Sequence, residues 1–161
     1  MTVNRARASA RVEPWWAILT VWVVVNAVNL LQSVGFLSRI YTGDRSINHA
    51  LGYAIVALVI PATVALFAFI REQTGWQFVP GPLLFAAFTA LSLAVDYIWL
   101  VEFRNPARPA ILVPYLLLFF GSIVLMGAPM LRIDRRLWVI TAVTSVMLVL
   151  TMGLAMRAGV G

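Results

Sequence analysis

The chain has no cysteine, no lysine and a single histidine among its 161 residues. Without cysteine there is no disulfide, thiolate metal site, iron–sulfur cluster or thiol catalysis, whatever compartment the loops face. Charge is scarce too: 11% of residues are charged, six acidic and twelve basic, and every basic residue is arginine. No basic run is dense enough to track a phosphate backbone, so the net charge of +6 does not describe a nucleic-acid surface. Nucleotide loops, nucleophile elbows and zincin motifs are absent, which leaves no metal site and no cofactor to assign from motifs.

What fills the space is apolar. Hydrophobic residues make up 62% of the chain and the mean hydropathy is +0.93, far beyond an ordinary soluble domain. Apolar runs fall at about 15–36, 50–70, 82–102, 110–131 and 137–156, each close to the ~20 residues that cross a bilayer as a helix. Thr42-Gly43-Asp44, Thr74-Gly75, Pro80-Gly81-Pro82, Asn105-Pro106 and Asp134-Arg135-Arg136 punctuate them. The runs are continuous instead of alternating, which disfavours a β-barrel. The expectation is an all-α, polytopic membrane bundle: a short basic segment over 1–14, then one transmembrane domain of five helices over 15–161. Arginines 5, 7 and 11 ahead of an apolar stretch resemble the start of a signal peptide, but a run of about 22 residues with no small-x-small site reads as a retained first span.

Arginines 5, 7, 11, 71, 132, 135 and 136 fall on one side of such a bundle, and 39, 45, 104, 108 and 157 on the other. Seven against five favours a cell-membrane protein with a cytoplasmic N-terminus. Independently of orientation, the end of span 1, start of span 2, end of span 3, start of span 4 and end of span 5 share one face. That face gathers Asn29, Gln32, Ser33, Arg39, Asp44, Arg45, His49, Tyr53, Asp96, Tyr97, Glu102, Arg104, Tyr115, Thr151 and Arg157.

Asp96 stands out, because an ionisable group inside a span is costly and usually functional. Thr89, Ser92, Asp96, Trp99 and Phe103 recur at three- and four-residue spacing and so form one helical stripe, with Asp96 about 8 Å from the end of the run. Asp96 is a candidate acid/base or ligand anchor, with His49 or Tyr97 assisting; an interhelical hydrogen bond or ion pair is the equally weighted structural alternative. Glu102, six residues on, lies on another helical face, so the two carboxylates do not form an acid/base pair; it joins Arg39, Arg45 and Arg104 in an interfacial charge network. Trp22, Asn26, Asn29 and Ser33 form a polar stripe on span 1, expected to face the Asp96 stripe of span 3, since polar helix faces hide against each other. Asp96, Asn26, Asn29, Gln32, Tyr53, Trp99 and Tyr115 are the ligand-binding candidates. His49 with Asp44 and Glu102 is a weak metal set, lacking a second nitrogen ligand. Pro61 frees a carbonyl one turn back and marks a kink in span 2.

Five spans, about 160 residues and frequent tryptophan are shared with the tryptophan-rich sensory proteins that bind tetrapyrroles and sterols. The Trp-Asn-Pro-Pro-x-Trp type of loop after the first span is replaced here by Ser38-Arg39-Ile40-Tyr41-Thr42-Gly43-Asp44, and membership does not follow. Three function classes stay open. One is a lipidic or amphipathic ligand in a cavity within the bundle, anchored by Asp96 and the Asn26/Asn29 amides. Another is an accessory or assembly subunit with purely structural polar stripes, meeting a membrane-complex partner or a second copy. The third is an enzyme on a lipid-soluble substrate.

Overall fold

The computed structural model describes residues 14–43, 46–104 and 107–159. Among the described residues five helical spans are long and apolar enough to cross a membrane: Trp15–Thr42, His49–Arg71, Trp76–Ile98, Pro109–Ile133 and Arg135–Arg157. The protein is an all-α, multi-pass membrane bundle.

Helix α1 (Trp15–Thr42) is 28 residues, about 42 Å at the helical rise, and continues six residues past the expected end at 36. It stops at Gly43, whose φ of 65° lets its N–H close onto the Arg39 carbonyl at 3.1 Å. Span 2 is two helices, α2 (Ser46–Ala57) and α3 (Val59–Arg71), broken at Leu58. The break falls where the missing N–H of Pro61 deprives the Ala57 carbonyl of its donor. Span 3 opens with a 3₁₀ turn at Trp76–Phe78 and continues as α4 (Pro80–Ser92), whose two prolines sit in the first turn, where an N–H has no helical partner to lose. Span 4 is α5 (Pro109–Gly127) followed by the short α6 (Met130–Ile133). Helix α7 (Arg135–Arg157) starts at Asp134, whose Oδ1 accepts the Arg136 N–H at 2.8 Å.

Helix α1 is the hub. It packs most extensively on α7, then on α2, α3 and α5, while α4 pairs chiefly with α5 and α3. Ile18, Val21, Val24, Val25 and Val28 of α1 meet Ala62, Ala65 and Phe69 of α3, Phe85 and Phe88 of α4, Phe119, Ile123 and Met126 of α5 and Leu148 of α7 in one core. The opposite faces, with Val23, Ile60, Phe67, Leu117, Val143 and Leu150, are exposed and equally apolar, as expected of helices solvated by lipid. Two glycines set close helix contacts on α5. A Cβ on Gly81 would lie 2.7 Å from the Met126 backbone nitrogen, and one on Gly127 would lie 2.9 Å from Thr141 Cγ2.

The end of span 3 departs from expectation. The α-helix gives way at Leu93 to a π-helical turn, Leu93–Ile98, and the helix ends there instead of at 102. The Trp99 N–H bonds the Ala94 carbonyl at 2.8 Å and the Val101 N–H reaches back to Val95 at 2.9 Å. Leu100 adopts φ 49°, a left-handed conformation that L-residues other than Gly and Asn seldom take. The chain therefore reverses at Leu100, and residues 103–104 return to the bundle.

Candidate functional site

That reversal delivers Arg104 to Asp96. Arg104 donates through Nη1 to Asp96 Oδ1 at 2.7 Å and through Nη2 to Oδ2 at 3.2 Å, a two-pronged ion pair. Ser92 Oγ, one turn earlier on α4, donates to Oδ2 at 3.0 Å, and the Tyr115 hydroxyl of α5 donates to the same oxygen at 3.3 Å. The carboxylate thus takes four hydrogen bonds, close to its full acceptor capacity. The Arg104 guanidinium lies 4.3 Å from the Phe103 ring centre and 5.1 Å from that of Tyr115. Phe103 is buried against Tyr115, which stands edge-on to Phe88. Asp96 is 14% exposed and Arg104 39%, so the pair straddles the boundary between bundle and interface. Burial works against the Arg104 cation, but its hydrogen bond to Asp96 and the neighbouring Tyr115 and Asp96 charges more than offset this and raise its pKa.

Beside the pair stands an aromatic cluster at the same face. His49 and Tyr53 of α2 lie 5.2 and 4.6 Å from the Tyr97 ring, and His49 lies 6.1 Å from Tyr53. The Tyr97 hydroxyl donates to the His49 carbonyl at 3.5 Å and rests on Gly52, where a Cβ would collide with it. Both His49 and Tyr53 are exposed.

The Asn26/Asn29 stripe finds its partner elsewhere. Asn26 Nδ2 donates to Thr141 Oγ1 at 3.1 Å and to the Trp22 carbonyl at 2.8 Å, while Thr144 Oγ1 donates to Asn26 Oδ1 at 2.8 Å. Asn29 Nδ2 donates to Thr144 Oγ1 at 3.1 Å and Ser145 Oγ at 3.0 Å. Trp22 Nε1 donates to the Leu137 carbonyl at 3.0 Å, and Ser33 Oγ to that of Asn29 at 2.8 Å. The Asn29 amide oxygen is buried with no partner among the described residues. Every interhelical bond of this stripe runs to α7, which corrects the expectation that it faces Asp96 on span 3. The sequence carried a signal for the true partner: Thr141, Thr144 and Ser145 place three hydroxyls on one helical face by their three- and four-residue spacing.

The ligand candidates are therefore divided. Asp96 and Tyr115 belong to one network, Asn26 and Asn29 to another, and Tyr53 to the aromatic cluster. Trp99 is exposed, off the continuous stripe that an unbroken helix would have given it, and Gln32 is half-buried. Of the charge network, Arg104 pairs with Asp96, Glu102 is exposed, Arg39 is half-buried, and Arg45 lies outside the described residues, as does Asp44 of the metal set. Among the described residues no three His, Asp or Glu side chains converge. A groove of about 290 Å³ lies between α5 and α7, and its wall includes none of the ligand candidates. Compared with known proteins, the chain matches no family model, no curated protein and no solved structure.

Proposed function

We propose that the protein is a structural subunit of the membrane, an accessory or assembly component whose intramembrane polar groups lock its own spans together. The observation carrying this reading is the saturation of Asp96: its carboxylate is engaged by Arg104, Ser92 and Tyr115. A general acid or base needs an oxygen free to meet substrate, and a ligand anchor needs an unsatisfied partner. The Asn26 amide and the Asn29 amide nitrogen are turned to α7 hydroxyls, with the Asn29 oxygen left over among the described residues, so the two sets of polar groups clip span 1 to span 5 and span 3 to span 4. Apolar outer faces are left for lipid or for the spans of a neighbouring subunit.

The test is rescue of a chromosomal deletion by the Asp96→Asn/Arg104→Gln double variant. This removes both charges while keeping size and hydrogen bonding. A structural role predicts that the variant, once present in the membrane at wild-type level, restores whatever assembly or growth phenotype the deletion causes. Normal accumulation with no rescue would refute the reading and return Asp96 to a chemical role.

A further inference from the structure

The groove between α5 and α7 arises from a splay. The two helices approach at Gly127 and Thr141, then part, because α7 leans on α1 and touches α5 only sparsely. From Trp138 to Val149 the groove follows α7 for about 16 Å, close to half of a ~30 Å hydrocarbon core and so the depth of one leaflet. Its walls are almost wholly apolar, and include Phe120 and Val124 on α5 and Trp138 and Ala142 on α7.

The closed end of this groove is cationic. Arg135 lies one turn before Trp138 and seven residues before Ala142, on the helical stripe that forms the α7 wall. Arg132 of α6 and Arg136 flank it, and all three are exposed. Among the described residues the one ion pair is Arg104–Asp96 at the opposite end, so no carboxylate contact neutralises Arg135. Among the described residues two acidic side chains belong to this end: Asp134, whose Oδ1 is taken by the Arg136 N–H, and Glu72, exposed at the end of α3 beside Arg71. Arg132 reaches Gln77 at 3.5 Å through one nitrogen only. Four described arginines against two described carboxylates leave this end positive, and residues 1–13, outside the described residues, add three arginines and one glutamate to the same side by sequence.

We infer that the α5–α7 groove is a seat for an anionic phospholipid, with one acyl chain along Trp138 to Val149 and the headgroup phosphate on Arg135 and Arg132. Charge complementarity selects this occupant: an apolar channel one leaflet deep, headed at the membrane surface by guanidiniums that make no ion pair among the described residues, matches a chain joined to a phosphate. The inference does not rest on the structural-subunit reading: no groove residue belongs to the Asp96 network, and Thr141 and Ser145, which line the groove and also meet Asn26 and Asn29, are left unchanged in the test.

Protein reconstituted with equal phosphatidylglycerol and phosphatidylcholine, then released for native mass spectrometry, tests it. Wild type should retain phosphatidylglycerol in preference to phosphatidylcholine. The Arg132→Gln/Arg135→Gln variant should lose that preference by about fivefold per arginine, whereas Arg157→Gln at the other end should keep it. Ala142→Phe, and separately Val149→Trp at the open end, should expel both lipids while the protein still melts cooperatively. Equal retention of the two lipids by wild type, an undiminished preference in the arginine variant, a matching loss in Arg157→Gln, or lipid retained by both groove-filling variants would each overturn the proposal. So would a lipid-free dimer sealed through α5 and α7.

Discussion

Removing the Asp96 charge should cost less than removing its partner. Asp96→Asn keeps an oxygen to accept from Ser92 and Tyr115, and leaves Arg104 unpaired at 39% exposure, where water and headgroups can solvate it. Exposed ion pairs are worth up to about 1 kcal/mol, while breaking a buried pair costs about 3–5 kcal/mol. A half-exposed arginine left alone falls between, at about 2 kcal/mol. Arg104→Gln instead strands the carboxylate at 14% exposure and also removes the cation lying over Phe103 and Tyr115, which places its cost at about 3 kcal/mol. The double variant leaves no uncompensated charge and should lose no more than Arg104→Gln alone, so the cycle should show a coupling of about 2 kcal/mol. Unfolding by sodium dodecyl sulfate titration in mixed micelles, with thermal melts in mild detergent, measures all four proteins. Additive single losses would refute the pairing, and a costlier Asp96→Asn than Arg104→Gln would refute the burial argument.

Gly81→Ala should destabilise by about 1–3 kcal/mol, because the new methyl meets the backbone at Leu125–Met126 and forces α4 from α5. Gly153→Ala in α7, with nothing within 4 Å, should be neutral or stabilising by up to about 1 kcal/mol in the same melts. Asn26→Ala should cost about 1 kcal/mol, the scale of one or two interhelical hydrogen bonds in a membrane, and a prior Thr144→Val should reduce that loss; an unchanged loss would show that the two side chains are not coupled. A reporter fused after Gly161 should read extracytoplasmic and one in the Arg71 to Gly81 loop cytoplasmic, and matching signals would contradict five spans with this orientation.

Span number and type were legible because continuous apolar runs of membrane length have few alternatives in lipid. The end of span 3 was not: Trp99-Leu100-Val101 continues the apolar pattern, and a left-handed leucine stops the helix where a glycine would have announced it. Asp96 was recognisable from its cost in the membrane, and Arg104 was among three arginines near enough to pair with it. That Arg104 is the partner follows only from the reversal at Leu100. The Asn26/Asn29 stripe could be seen to need a partner, but two spans carried hydroxyls at helical spacing. Which of them faces span 1 depends on how the helices are arranged around α1, a property no local pattern encodes. The splay between α5 and α7 is equally non-local.

The central claim is that the polar stripes clip particular spans together, span 1 to span 5 and span 3 to span 4. A chain free of cysteine makes this directly measurable by paired substitutions in native membranes. Asn29→Cys with Ser145→Cys should cross-link efficiently under mild oxidation or with a short bifunctional thiol reagent, since the native side chains approach to 3.0 Å. Asn29→Cys with Asp96→Cys should not. Efficient linkage of Asn29→Cys to Asp96→Cys, with none to Ser145→Cys, would contradict the account.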